Sequence, residues 1–432
     1  MKRRNVLVLP AGTEIGLEIQ QALKHCKDIR LFGAGLDVSN HARLTFPEYF
    51  IIPAVHDSRW LAELIQLCHT LSIDYILPGH DDVLLALSRH RADLPAAVIS
   101  SPPETCEVTR SKRQTFRALS DSIRVPRIYT CVEEVADYPV FVKPDRGQGS
   151  LGACRVNSRS ELLKAIDAVS DPLICEFLPG DEYTVDCFSD RERGLLFAGA
   201  RSRLRIRNGI SVNTQTENLP EIPELARTIE RRLSFYGAWF FQIRRAVDGQ
   251  LALLEVAARI AGAMSTHRVT GVNFPLLSIY EHERLPLQIL VNPGTVQLDR
   301  GLSNRYIHDI SFSTLYVDLD DTLILHGRIN TDLVRFIYKC VSSGRVVKLL
   351  TRHRGDLSAA LRRFRIGGLF DVVIHLKNAE LKSSVISETD AILIDDSFSE
   401  RRDVSNICGI ATFDCSMVEL LDCSDSMGEK YE

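Results

Sequence analysis

The sequence predicts an α/β protein: an N-terminal doubly wound parallel sheet, a middle α+β region and a third α/β segment at the C-terminal end. Three observations predict it. Short apolar strands alternate with amphipathic helices over residues 1–105, the order a parallel sheet requires. Residues 106–300 carry longer strands and a hairpin signal at Asp248-Gly249. Residues 311–432 return to apolar strands, now ending in aspartate or threonine. At 432 residues the chain exceeds one ordinary core, and those three spans are the expected domains.

Composition narrows the class. Hydrophobic residues make up 45% and charged residues 25%, as in a soluble globular protein, and a net charge of −4 gives no electrostatic case for nucleic acid or an anionic membrane as partner. The eleven cysteines are scattered, with no C-x-x-C pair and no Cys/His cluster at zinc-ligand spacing, and read as reduced thiols in a cytoplasmic protein. Lys2, Arg3 and Arg4 precede only the short apolar run Val6 to Ala11, which reads as a first strand rather than a leader. No apolar run has the length of a membrane span.

In the first region a strand at Val6–Leu9 is followed by a turn, a helix from Glu14 to Cys26 and a strand at Ile29–Phe32. A helix around Arg59–Leu71, a strand at Tyr75–Leu77 and a helix from Asp81 to His90 complete it. Gly12 and Gly16 lack the full G-x-G-x-x-G spacing, so they are assigned to a tight turn and close helix packing. Asp81 stands where a strand meets a helix, a place for a ligand, and its simpler reading is a helix cap.

The middle region is organised around Tyr138 to Val156. Apolar Val140, Phe141 and Val142 deliver Lys143, and Gly147, Gly149 and Gly152 follow. Such a loop brings backbone N–H groups close to an anion, and a lysine beside it suits phosphates. A strand through Leu173 reaches Glu176, turns at Pro179-Gly180 and resumes with Glu182 and Asp186. Gln242 and Glu255 fall on the two arms of the Asp248-Gly249 hairpin. Side-chain oxygens set in apolar strands call for a cation, and magnesium takes one or two such ligands alongside phosphates. Arg201, Arg203, Arg205 and Arg207 alternate on a further strand, either as a solvated face or as anion ligands, and His267 and Arg268 are similarly open.

Lys112, the Lys143 loop, EFLPGDEYTVD, Gln242 and EVAARIAG occur in the order of the ATP-grasp superfamily, which the chain resembles over roughly residues 1–290. It is most similar to the carbamoyl-phosphate-synthase-like and amino-acid-ligase branches. The resemblance implies an ATP-dependent ligase joining a carboxylate to an amine through an acyl phosphate. Lys112 and Lys143 would then hold phosphates, with Gly147, Gly149, Ser150 and Gly152 closing over them. Glu176, Phe177 and Leu178 would meet adenine and Glu182 the ribose; Gln242 and Glu255 would bind Mg2+ or Mn2+, and Arg259 would face the activated carboxylate. Many members carry asparagine where this chain has Ala257, which leaves the second metal open.

In the last region Asp318 and Asp320 stand at i and i+2 where a strand opens into a loop, so one carboxylate can attack phosphorus while the other moves a proton. With Thr351, Lys377 or Lys382, and Asp395-Asp396, this pattern resembles the haloacid-dehalogenase superfamily. It implies a Rossmann-like phosphatase in which Asp318 is the nucleophile, Asp320 the acid/base, Thr351 a phosphate ligand and Lys382 the charge partner, while Asp318, Asp320, Asp395 and Asp396 gather magnesium. The intervals from Asp321 to Thr351 and from Thr351 to Asp395 are too short for a cap domain, so the site is expected to be capless and open, or covered by the ligase half or a partner subunit. The expected protein is bifunctional, acting on small carboxylates, amines and a phosphorylated substrate, with a homodimer allowed. The alternatives are a ligase with a C-terminal docking module, a non-ligating nucleotide sensor and a phosphotransferase acting on a hydroxyl.

Overall fold

The computed structural model describes residues 3–147, 149, 151–306, 308–377 and 380–422. The chain forms two compact units, Met1–Ser303 and Asn304–Glu432. No helix among the described residues is long and apolar enough to cross a membrane.

The first unit begins with β1 (Arg4–Leu9), α1 (Glu14–Leu23), β2 (Ile29–Gly35), β3 (Tyr49–Ile51), α2 (Trp60–Leu71), β4 (Tyr75–Pro78), α3 (Asp81–Arg89) and β5 (Ala97–Val98). The strands form a parallel sheet in the order β3-β2-β1-β4-β5. Alternate residues of β1 show why it is buried on both faces. Val6 and Val8 pack with Ile19 of α1, while Leu7 and Leu9 pack with Trp60 and Leu64 of α2. Gly16 follows the packing expectation, since a Cβ there would lie 2.3 Å from the Ala11 carbonyl oxygen. The expected Asp81 cap is corrected: the His80 side chain accepts from the Asp82 N–H and caps α3, leaving the Asp81 carboxylate free for another partner.

Next come α4 (Pro103–Arg110), α5 (Lys112–Leu119), β6 (Ile128–Tyr129), β7 (Val140–Pro144), β8 (Cys154–Val156), α6 (Arg159–Asp167) and β9 (Pro172–Glu176). β6, β9, β7 and β8 make a small antiparallel sheet. β10 (Glu182–Asp190), β11 (Gly194–Arg207), β12 (Ile210–Glu217), α7 (Ile222–Arg232), β13 (Gly237–Arg245), β14 (Leu251–Ala257), α8 (Ser265–Arg268), α9 (Phe274–His282) and β15 (Gln297–Asp299) complete the unit. Their sheet runs β14-β13-β10-β11-β12-β15. Period-two alternation divides it: Trp239, Phe241 and Ile243 enter the core with Val185 and Ala200, whereas Phe240, Gln242 and Arg244 face a cavity.

The second unit has β16 (Thr314–Val317), a small hairpin of β17 (Ile324–Leu325) and β18 (Arg328–Ile329), α10 (Thr331–Ser342), β19 (Val346–Thr351), α11 (Leu357–Phe364), β20 (Val372–His375), β21 (Ala391–Ile394), α12 (Phe398–Cys408), β22 (Ala411–Phe413) and α13 (Val418–Asp422). Its parallel sheet runs β20-β19-β16-β21-β22, with β16 central. Leu315 and Val317 pack with Phe336 and Ile337 of α10, and Tyr316 packs on the opposite face with Leu393 and Val404.

Candidate functional site

In the first unit a cavity of about 790 Å³ collects most of the residues singled out in the sequence: Lys112, Lys143, Glu176, Glu182, Gln242 and Glu255. Gly147, Gly149, Phe177, Leu178 and Arg259 also line it. Gly152, with φ +71, is not among its lining residues. Ser150 and Gln148 lie outside the described residues.

Gln242 and Glu255 are directly opposite in the ladder, and a bulge explains their common face. Gln242 pairs with Glu255, but Ile243 pairs with Leu253, so Leu254 is left over. Leu253 and Glu255 would share a face on a regular strand; the extra residue puts Leu253 in the core and Glu255 on the cavity side. The Leu254 carbonyl instead accepts from Lys143 Nζ at 3.1 Å. Lys143 is buried, and burial pushes its ammonium below the ordinary lysine value, a cost that an anion in the cavity would offset.

Asp145 ties the lysine loop to the start of α5, a role that the sequence reading missed. Its carboxylate accepts from Ser111 Oγ and the Arg113 N–H, both at 2.7 Å, and its carbonyl accepts from Lys112 Nζ at 3.2 Å. One aspartate thereby joins the lysine loop to the start of α5, whose cap is Ser111. Across the cavity Gly209 packs on the same loop, where a Cβ would lie 2.0 Å from the Gly149 carbonyl carbon.

Arg259 is held rather than free. Its Nε and Nη2 each donate to Asp81 at 2.7 Å, so the aspartate read from sequence as a cap fixes this guanidinium at the cavity wall. Glu182 forms ion pairs with Arg203 at 3.0 Å and with Arg244 at 3.8 Å, while Arg203 Nη2 donates to the Gly209 carbonyl at 2.8 Å and Glu176 accepts from Arg124 at 2.7 Å. The alternating arginines divide. Arg201 and Arg203 are turned inward, whereas a bulge at Leu204 takes Arg205 off that face to pair with Asp299 at 2.6 Å. The solvated-face reading therefore fails for Arg201 and Arg203. Arg201 donates to fully buried Asp186 at 2.9 and 3.2 Å, and His267 Nδ1 lies 3.0 Å from the same carboxylate. Arg268 instead pairs with Glu18 at 2.6 Å.

The second unit places its polar groups at the carboxyl ends of three adjacent parallel strands. Asp318 follows β16, Thr351 ends β19 and Asp395 follows β21. Together with Asp320, Lys382 and Asp396 they line a pocket of about 450 Å³. Lys382 Nζ donates to Asp318 at 2.7 Å and to Asp395 at 2.5 Å. Lys377 does not line the pocket. One ammonium between buried carboxylates leaves excess negative charge. Burial, with repulsion from Asp395, pushes Asp318 up to about 6 although Lys382 pulls it down; burial opposes the Lys382 charge, but the two aspartates outweigh it and raise its pKa. Oxygens of Asp318, Asp395 and Asp396 approach within 4.8 Å of one another, a hard-oxygen set that fits magnesium. Asp320 stands apart from that set, its carboxylate held by His353 Nδ1 at 2.9 and 3.0 Å. Thr322 donates to Asp396 at 3.1 Å and accepts from its N–H at 2.9 Å, fixing that carboxylate.

Residues 168–302 match a protein family described as "ATP-grasp in the biosynthetic pathway with Ter operon". A D-alanine–D-alanine ligase of Fusobacterium nucleatum is 31% identical over 90 residues, which are 21% of this chain and 31% of that ligase. The match thus spans about a third of its length. Among solved structures, the biotin carboxylase domain of Hydrogenobacter thermophilus 2-oxoglutarate carboxylase superposes with a TM-score of 0.59 at 15% identity, covering 69% of this chain and 74% of that one. An L-amino acid ligase from Bacillus licheniformis gives 0.51 at 19%, covering 65% and 74%. At such identities the likeness is one of fold. The ATP-grasp family match over residues 168–302 and the partial match to the ligase point the same way as the ligase reading, and the solved structures share the fold.

Proposed function

We propose that the chain is a bifunctional enzyme: an ATP-dependent carboxylate–amine ligase in the first unit and a magnesium-dependent phosphomonoester hydrolase in the second. The ligase reading is carried by the convergence of Lys112, Lys143, Gln242 and Glu255 on one cavity that also holds a fixed arginine. In that reaction a carboxylate oxygen attacks the γ-phosphorus of ATP, releasing ADP and leaving an acyl phosphate. The amine then attacks the acyl carbon, phosphate departs, and an amide remains. Lys112 and Lys143 hold phosphate oxygens, and the residues around Glu176–Leu178 receive the adenine, with Glu182 at the ribose. Arg259, pre-set by Asp81, faces the charge that develops on the acyl group. Gln242 and Glu255 present opposed oxygens that fit Mg2+, which when bound neutralises phosphate charge.

In the second unit Asp318 attacks the phosphorus of a phosphomonoester while Asp320 donates a proton to the departing oxygen. Asp320 then takes a proton from the water that hydrolyses the aspartyl-phosphate. Thr351 and Lys382 hold the phosphoryl oxygens. Asp318, Asp395 and Asp396 fit a magnesium ion, which supplies charge neutralisation when bound. A cytoplasmic setting fits the described cysteines, all of them free.

Magnesium-dependent ADP release against pairs of amino acids and small carboxylates tests the ligase. Pair-dependent release lost in Glu255→Ala and kept in Asp318→Asn supports two separate activities. Release of phosphate from a phosphoester by the wild type and equally by Asp318→Asn would overturn the hydrolase assignment. Ala257, whose side chain offers the cavity no ligand atom, favours one other reading, a nucleotide sensor that does not ligate. Trapping the acyl phosphate as a hydroxamate eliminates it.

A further inference from the structure

Arg300 follows β15, and its N–H donates to the Val212 carbonyl of β12 at 2.8 Å, so its position is set by the edge of the large sheet. Its side chain lines the cavity beside Gly262, where a Cβ would come within 3.5 Å of Arg300 Nη2. Among the described residues the guanidinium has no hydrogen bond or ion pair; Glu18 and Glu14 act on it only through space, and Glu18 is already bonded to Arg268. Burial and the nearby charge of Arg201 both weigh against keeping Arg300 charged, with Glu18 opposing them. Arg201 lines the same cavity and uses Nε and Nη2 on Asp186, so N–H groups of its fork remain to donate.

Arg300 lies apart from the groups assigned to the nucleotide phosphates and metal, and Arg201 stands between it and Arg203, which pairs with Glu182. Lys143 contacts the carbonyl of Leu254 on β14, and Gln242 and Glu255 occupy β13 and β14, one side of the sheet order β14-β13-β10-β11-β12-β15. Arg201 on β11 and Arg300 after β15 belong to the other side. Two guanidinium groups lining one cavity, one of them without a partner, are stabilised by an anion that takes charge-assisted bonds from them. Asp186, buried and shared with His267, holds Arg201 in place whether or not that anion is present.

We propose that Arg201 and Arg300 form a subsite for an anionic side group of a substrate, a carboxylate or phosphate carried in addition to its α-carboxylate and distinct from the phosphates of ATP. The inference rests on the ligase reading of the cavity and names a substrate class for it: a molecule carrying a second anionic group. Arg300 is a specificity-determining residue for that group, and Asp186 and His267 are positioning residues for Arg201.

The test is calorimetric titration of the full-length chain with O-phospho-L-serine, L-aspartate and L-alanine, each with and without ADP and magnesium. The wild type is expected to bind one of the two anionic probes at least tenfold more tightly than L-alanine. Arg300→Gln is expected to remove that preference while leaving the ADP affinity within twofold, and Arg300→Lys to keep part of it. Preference for O-phospho-L-serine over L-aspartate identifies the group as a phosphate; the reverse identifies a carboxylate. No preference in the wild type, or a preference that survives Arg300→Gln, overturns the proposal. Loss of ADP affinity in Arg300→Gln also overturns it, by assigning Arg300 to the nucleotide. Should the wild type bind no ADP yet keep its anion preference without nucleotide, the ligase reading fails and the subsite stands.

Discussion

Replacing Asp318 by asparagine should stabilise the metal-free protein at neutral pH, although the residue is assigned to catalysis. Asp318 is 6% exposed, and its folded-state pKa of about 6 stands roughly two units above the ~3.9 of an unfolded aspartate. The folded carboxyl therefore holds its proton more firmly than the unfolded one. Its contribution to stability is full below about pH 4 and is lost as pH rises through 6. The loss amounts to about 3 kcal/mol at pH 8 and about half that at pH 5. Asparagine keeps the shape and an oxygen for Lys382 Nζ but carries no charge, so Asp318→Asn should gain about 1–3 kcal/mol at pH 8 in EDTA, shrinking toward pH 4. Calorimetric unfolding of the full chain, with hydrogen exchange at the β16 amides to identify the responding unit, measures this. Saturating magnesium should reverse the order by stabilising the wild type more. A variant less stable than wild type at pH 8 in EDTA, or a difference that does not shrink with acid, refutes the charge argument.

The same cluster predicts a magnesium affinity that falls about tenfold per pH unit below 6, because the ion must displace the Asp318 proton; titration calorimetry at pH 5, 6 and 7 reads it, and a flat profile would count against Asp318 as a ligand. Asp81→Asn should cost about 2 kcal/mol of stability and lower kcat for ADP release by an order of magnitude or more, since it frees Arg259 and leaves that cation unpaired. In a cycle with Arg259→Gln the two losses should be strongly non-additive, and simple additivity would show that the pair does not act as a unit. Gly209→Ala strains a φ of +72 and drives a Cβ into the backbone of Gly149. It should raise KM for ATP several-fold, and an unchanged KM would mean that the Asn208-Gly209 turn does not support the lysine loop.

Legibility followed the physics of each element. The parallel sheets were readable because a strand buried on both faces shows a continuous apolar run, as Val6 to Leu9 and Ala391 to Ile394 do. Asp318, Thr351 and Asp395 were readable as a group because each directly ends such a run, and parallel register brings those ends together. The two arms of the hairpin were readable, but the common face of Gln242 and Glu255 was not, since it depends on the extra residue at Leu254, and a bulge leaves no mark on a period-two pattern. The bulge at Leu204 defeated the arginine pattern for the same reason. Asp81 was misread because the usual cap residue stood at a helix start while a histidine one position earlier took the role. Arg300 carried no local signal at all; its importance comes from contact with elements distant in the chain.

The two sites differ in their charge surplus, and that difference says what each is built to receive. The first cavity carries more guanidinium and ammonium groups than carboxylates; Asp81 and Asp186 each hold one arginine and Glu182 lies near two, while buried Lys143 and partnerless Arg300 remain in excess. Such a wall is costly when empty and favourable around polyanions, which is the condition for binding a nucleotide with an anionic substrate. The second pocket has the opposite surplus: Asp318, Asp320, Asp395, Asp396 and Glu400 outnumber Lys382, Arg352 and Arg354, and three of those carboxylates gather around the lysine. On the hydrolase reading, a bare phosphate is disfavoured beside the three gathered carboxylates, and a divalent cation enters before or with the phosphomonoester. Order of addition is therefore the discriminating kinetic property. In the second unit phosphate binding should be undetectable in EDTA and appear with magnesium, whereas anion binding in the first should persist, though weakened, when the metal is withheld. Phosphate binding of equal strength in EDTA and magnesium in the second unit would contradict the reading of its aspartates as a metal cradle.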